Sequence, residues 1–484
     1  MPLPWLIVFV PWIGAAALAV LPPRGTAPAF VNIGVAAVSL GLALALFGHP
    51  HGIQGWTRVD ALNIPFVAVS ALIGLTTAVF SAATLPAERF DARLNALGAR
   101  AYHAAFQAFL GAVFLALLAD NLGVLWVAIE IATLASVLMV GVHGTPAAVE
   151  AAWKFFILCG VGIALALFGT ILLYLAAQPV VGGGDPGLSW AALRAVAPRC
   201  DPGVLSLAFV FLLIGYGTKA GLVPLHSWLP DAEAEGPLAI SAVLSGLLLN
   251  AALLAVMRAE SIVSAHPAAL PTGPFLTALG LLSVGLAAFS LWRRGDARRL
   301  FAWSSVEHTG LAALAFGLGA NLAGTLHMLG HSLVKSAVFF AVGAASLLKG
   351  SQKVADIGGL ATTHPALGWG LALGIAALAG MPPAAVFVSE LRIITATAAG
   401  APWLLPPLLL FLLVAAAALV RALQSLCLGP PTPDAPAPGV FALPGGTAWA
   451  VAPVWLHLLL AALLGFAAPA ALLATLREGA RLLG

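Results

Sequence analysis

Fourteen apolar runs, each long enough to cross a bilayer, leave this 484-residue chain one class of fold. A membrane-spanning helix needs roughly 17–25 mostly apolar residues. Such runs fall near residues 4–22, 27–47, 62–84, 102–119, 121–141, 153–178, 204–225, 236–258, 272–291, 299–320, 324–348, 366–392, 402–425 and 451–475. Over the whole chain 61% of residues are hydrophobic and 8% are charged, where a soluble protein carries about 25% charged residues. The expectation is an all-α membrane protein of about 14 transmembrane helices, one integral-membrane domain over residues 1–484. No Lys or Arg precedes the first run, so it reads as a retained helix rather than a cleaved signal.

The same composition excludes several functions. No basic patch suits nucleic acid, and the net charge is only +3. Cys159, Cys200 and Cys427 share no CxxC or Cys/His spacing, so iron–sulfur and structural zinc sites are not expected. There is no glycine-rich nucleotide loop and no flavin or haem motif. The chain therefore reads as having no cofactor, no metal and no catalytic chemistry of its own. An even helix count puts both termini on one side, and the Lys/Arg balance of the loops chooses it. Arg24, Arg89, Arg93, Arg100, Arg293, Arg294, Arg298, Arg299, Lys349, Lys353 and Arg421 fall on one side. Only Arg58, Arg194, Arg199, Arg258, Arg477 and Arg481 fall on the side of the termini. Both termini should then be non-cytoplasmic. Residues 179–203 form an external loop in this reading, and residues 428–447 a cytoplasmic one.

Residues 211–237, FLLIGYGTKAGLVPLHSWLPDAEAEGP, carry the most unusual chemistry. Lys219 lies in the middle of apolar sequence, and an ionisable group at that depth is normally functional. Pro224 follows within roughly one and a half turns and should break the helix by removing an amide donor and crowding the preceding turn. A broken helix at membrane depth persists only where its backbone is buried in protein or lines water. His226, Asp231, Glu233 and Glu235 then lead toward the surface.

Part of this pattern occurs twice. Trp126-Val-Ala-Ile-Glu130 in the fifth run matches Trp303-Ser-Ser-Val-Glu307 in the tenth. A lysine and an aromatic pair follow one helix later, Lys154 with Phe155-Phe156 and Lys335 with Phe339-Phe340. Two helices after each glutamate comes a proline-broken helix with an ionisable group, Lys219 with Pro224 and Glu390 with Pro382-Pro383. This predicts two five-helix units, helices 4–8 over residues 102–258 and helices 9–13 over 272–425, with helices 7 and 12 broken. Five being odd, the second unit is inverted, as in transporters with a site near the midplane.

The remaining candidates are judged by helical geometry. Glu150 and Lys154 have the Glu-first i,i+4 spacing of a salt bridge. His327, His331 and Lys335 recur every fourth residue, advancing about 40° per step over about 12 Å. They form one polar stripe, suited to a water-assisted proton relay because histidine titrates near neutral pH. Zinc binding by the two histidines, or hydrogen bonding alone, are the competing readings. Glu307 and His308 join the same path. Glu390 and Arg392 are poorly placed to pair within one helix, so Glu390 should face another element. Glu130 serves either a packing ion pair or the modulation of a lysine, and Asp120 reads as a cap.

These motifs resemble the proton-translocating antiporter-like subunits of respiratory complex I, membrane-bound hydrogenases and multisubunit sodium/proton antiporters. The similarity runs through WVAIE, EAAWKFF, GYGTKAGLVPLHSWLPDA, DARRLFAWSSVEHTG, HMLGHSLVKSAVFF and MPPAAVFVSE. The wording is nearest to the hydrogenase-4 or formate hydrogenlyase type, component F. The resemblance implies that Glu130 and Lys219 form the pair of a first half-channel. It makes Lys335 and the histidines a central relay, and Glu390 the terminal group toward the external side. Its partners would be other subunits of a respiratory or hydrogenase complex in the cell inner membrane, and the ions moved protons or sodium. A cation/proton antiporter assembly is the alternative. After LPDA the family usually shows histidine, where this chain has Glu233, and Ala234 replaces the following serine. The long lateral helix of the most distal such subunit is not expected.

Overall fold

Short polar side chains open several of the helices. Asn121 Oδ1 accepts from the amides of Gly123 and Val124 at 2.9 and 3.1 Å, and Thr145, Asp201 and Asp296 cap other helices in the same way. Each satisfies donors that the first turn leaves free. The computed structural model describes residues 2–22, 26–90, 94–435 and 446–484. Arg24 and Arg93 of the charge argument, and half of the 428–447 loop, lie outside these residues.

The chain begins with α1 (Leu3–Val20), α2 (Ala27–Ala45), α3 (Asn63–Phe90), α4 (Ala96–Leu118), α5 (Leu122–Val140) and α6 (Pro146–Val181). Then come α7 (Trp190–Val196), α8 (Pro202–Ala220), α9 (Leu229–Glu235) and α10 (Ile240–Val243). A π turn, Leu244–Leu248, joins α10 to α11 (Leu249–Val263). The second part holds α12 (Thr272–Leu291), α13 (Ala297–Gly317), α14 (Asn321–Lys349) and α15 (Leu360–Thr363). It continues through α16 (Pro365–Leu378), α17 (Ala385–Gly400), α18 (Leu405–Leu423), α19 (Gly446–Phe466) and α20 (Ala470–Arg481). One antiparallel hairpin, β1 (Gly52–Gln54) and β2 (Thr57–Val59), sets Gly52 opposite Val59.

Among the described residues, twelve helices are long and apolar enough to cross a membrane. The other two of the fourteen apolar runs map onto α13, which carries Arg298, Arg299, Glu307 and His308, and onto the pair α16 and α17, each too short alone. The last run stops at Phe466, and residues 470–481 form a separate helix, α20. The loop of residues 179–203 holds α7, and the hairpin has no counterpart in the sequence reading. Short turns of this kind carry no apolar run to announce them.

Burial divides the helices into a centre and a rim. The span through α10 and α11 is 100% buried and that of α14 is 94% buried, whereas those of α1, α2 and α18 are only 33%, 28% and 28% buried. Ionisable groups on the central helices therefore face protein rather than lipid, the condition under which they are tolerated.

Both expected breaks are present. Helix α8 stops at Ala220, with Gly221 at a φ of 74° in the left-handed region, where glycine is favoured. The loop's backbone finds internal partners. Trp228 Nε1 donates to Thr218 O at 2.8 Å, and Val223 N donates to Ser283 Oγ at 2.9 Å. At the second break Gly380 has φ 70°, again in the region that favours glycine, and a Cβ there would meet the Glu390 carboxylate.

Candidate functional site

Two buried lysines lie at the heart of the interior. Lys219, in the last turn of α8, donates to Thr133 Oγ1 on α5, and Thr133 donates in turn to Ile129 O at 2.7 Å. The Phe155 ring lies 5.2 Å from the ammonium and stacks on Trp228 at 4.3 Å. Glu130 on α5 and Cys159 on α6 are within electrostatic range of the amine. One oxygen of Glu130 has no partner among the described residues.

Lys335, midway along α14, donates to Phe301 O of α13 at 2.6 Å. The rings of Phe301 and Phe339 lie 5.9 and 5.8 Å from its nitrogen. Glu233 of α9 and Glu307 of α13 are within electrostatic range. Glu233 is fully buried and accepts from Ser305 Oγ at 3.4 Å, and Ser305 pairs with Ser245 at 2.8 Å. Ser245 stands in the π turn, a local widening of the helix often found at functional sites.

From Lys335 the stripe continues along α14 through His331 and His327. His308 of α13 packs against both rings, with centroids 5.2 Å from each. Its Nδ1 is 3.2 Å from His327 Nε2. His327 Nδ1 pairs with Ser389 Oγ at 2.9 Å, and Glu390 Oε1 lies 4.0 Å from His308 Nδ1. A small cavity touches Asn250, Thr309 and the three histidines. The Nε2 atoms of His308 and His331 have no partner among the described residues, and buried polar atoms of this kind are commonly met by water. Imidazole holds a proton on one nitrogen while the other accepts. Such a row can hand a proton on in hydrogen-bond steps.

Lys154 is placed differently from the other two lysines. It is 46% exposed and pairs with Glu150 at 2.7 Å and Asp231 at 3.1 Å. Asp231 also meets Arg299 at 3.0 Å, and Arg299 meets Glu235 at 2.8 Å. Lys154 thus belongs to a chain of ions holding α9 between α6 and α13. His226, in the loop after α8, sets its ring edge-on to Trp303 at 4.9 Å. Glu390 faces His308 across the helix pair. Asp120 accepts from Ser189 Oγ at 2.5 Å, joining the start of α5 to the 179–203 loop.

Comparison with known proteins places this arrangement in a family. The profile described as NADH:quinone oxidoreductase/Mrp antiporter, TM matches residues 119–418. The chain belongs to this family. A "Hydrogenase-4 component F homolog" from Methylacidiphilum infernorum (isolate V4) is 50% identical over 379 residues, covering 78% of this chain and 80% of the relative. The chain spans about half to two thirds of the length of several more distant curated relatives. Two solved structures share the fold. One is the membrane-bound sulfane sulfur reductase, an archaeal respiratory membrane complex, with TM-score 0.86, 24% identity and coverage of 99% of this chain and 97% of that one. The other is the Mrp complex from Dietzia sp. DQ12-45-1b, with TM-score 0.82, 20% identity and coverage of 100% and 98%.

In this antiporter-family chain several site residues escape a reading of the sequence. Glu233 is the foremost. A signal exists in DAEAE, because on a helix residue 233 points away from residues 231 and 235. Asp231 and Glu235 keep partial exposure and bind Arg299, while Glu233 turns inward to Lys335. Thr133, Cys159, Ser245, Ser305 and Ser389 are also part of the site. Hydroxyls and thiols in apolar helices give no periodic signal, so only the packing reveals them.

Proposed function

We propose that this protein is the proton-translocating membrane subunit of a multisubunit oxidoreductase, of the hydrogenase-4 or NADH dehydrogenase type. Electron transfer in other subunits would drive protons through its buried line of titratable groups. One observation carries the reading: Lys335, Glu307, Glu233, His331, His308, His327 and Glu390 form one cluster around α14, whose span is 94% buried. Lys219 with Glu130 forms the first half-site, and His226 lies between the halves against Trp303. Units 102–258 and 272–425 are read as inverted repeats. Counting α13 and the α16–α17 pair as crossings gives fourteen helices, both termini non-cytoplasmic, in the cell inner membrane. The partners are other membrane subunits of the complex.

A cation/proton antiporter subunit is the second reading, favoured by the family's inclusion of Mrp antiporters. Everted membrane vesicles distinguish the two. Proton uptake driven by hydrogen or NADH, read with a pH-sensitive dye, is expected to depend on Lys335. Lys335→Met should abolish it while the complex still assembles. Uptake unchanged in Lys335→Met would overturn the proton path. Sodium-dependent proton exchange with neither donor present would favour the antiporter.

A further inference from the structure

A second polar cavity lies beside the 293–299 loop, apart from the histidine row. A cavity of about 210 Å³ is lined by Glu88, Leu238, Ser346, Leu347, Gly350, Ser351 and Gln352. Its rim is fixed to the arginine-rich loop. Gln352 O accepts from Ala297 N at 2.8 Å, and Gly295 O accepts from Val354 N at 2.8 Å. The volume suits several waters, since one needs roughly 10–15 Å³. Ser346, buried in the wall, has a hydroxyl with no partner among the described residues.

The floor is a carboxylate. Glu88, 2% exposed, pairs with His143 Nε2 at 2.8 Å and accepts from Leu238 N at 3.4 Å. Tyr102, bonded to Ser81 at 2.8 Å, is also within electrostatic range. On the inner side lies Arg298, fully buried, which donates to Gly236 O at 2.9 Å, Pro237 O at 3.2 Å and Ser241 Oγ at 2.8 Å. Its guanidinium feels both Glu88 and Glu233, and Ser241 donates to Glu233 O at 2.6 Å. One fixed cation is therefore within electrostatic range of both the carboxylate of the cavity and the carboxylate facing Lys335. Arginine does not release its proton in proteins, so Arg298 is a positioning residue here.

We propose that this cavity is the port through which protons reach Lys335 from the 293–299 face. Glu88, paired with His143, takes up the proton, and Glu233 is the next acceptor. Only a proton moves, from water to carboxylate to carboxylate. The port deepens the proton-path reading and rests on it.

The test uses the whole complex in membrane vesicles, with cysteine placed at Ser346 or Gln352 and a charged, membrane-impermeant methanethiosulfonate as the probe. Both positions should label from the 293–299 side and not from the other. Labelling after assembly should cut donor-driven proton uptake about tenfold or more, with no effect of the reagent on the parent chain. Glu88→Gln should slow uptake similarly, and Glu88→Gly should regain part of it with azide or formate added at that face. A small acid cannot repair a packing defect. No labelling, or labelling that leaves uptake unchanged, would overturn the port. If Lys335→Met also transports normally, the proton path fails with it; if Lys335→Met is inactive, only the port falls.

Discussion

Lys219 and Lys335 are both fully buried, yet among the described residues each has a single oxygen to donate to, Thr133 Oγ1 for one, with the Cys159 thiol also within reach, and Phe301 O for the other. An ammonium carries three donors, so these amines are held by little and can trade partners. That is what a relay requires, and a structural ion would be pinned more fully, as Arg258 is by the carbonyls of Ala116, Leu117 and Ala119. Arginine keeps the charge and the stem but does not release a proton. Lys219→Arg should therefore assemble and yet transport as poorly as Lys219→Ala, in vesicles normalised to the amount of complex. Native transport by Lys219→Arg would make Lys219 an electrostatic fixture. The burial of Lys219 in protein was legible in the sequence, because a lone lysine in an apolar run is tolerated only where it faces protein or water. Glu233 was not, because its burial depends on which way a seven-residue helix turns.

The breaks in the helices follow the same division between what sequence announces and what packing adds. Pro224 and Pro382-Pro383 announce where the chain must leave the helix. What keeps the open end of α8 intact at depth is a tryptophan ten residues on, Trp228, whose indole donates to Thr218 O at 2.8 Å. Its ring also lies flat on Phe155, tilted by 8°, beneath the Lys219 ammonium. Trp228→Phe keeps the stack and removes the indole donor, leaving Thr218 O with the Gly221 amide alone, 3.2 Å away, and the lost hydrogen bond should cost about 0.5–1.5 kcal/mol. The purified complex should melt at a lower temperature, with Trp228→Ala lower still. Equal melting of Trp228→Phe and the native protein would show that the Thr218 carbonyl finds another donor. The pairing itself could not be read from a pattern, since it joins a helix end to a loop through one side-chain atom.

At the scale of the whole chain, the two proposed five-helix units are not self-contained. Lys335 belongs to the second, but one of its two carboxylates, Glu233, comes from the first. The element that delivers it, α9, is seven residues long and is held from outside by Asp231 and Glu235 on Arg299 of α13, and by Asp231 on Lys154 of α6. Moving α9 would change the charge facing Lys335 without touching the lysine. Arg299 is partly exposed, so its pairs add little to stability on their own; their effect should be positional. Arg299→Gln should then lower transport while the complex assembles normally. If Arg299 acts through Glu233, the double variant Arg299→Gln with Glu233→Gln should transport no worse than Glu233→Gln alone. Residues that act through one another depart from additivity in this way, and independent ones multiply their effects. Multiplied losses in the double variant would show that the ion pairs of α9 serve some purpose other than aiming Glu233 at Lys335.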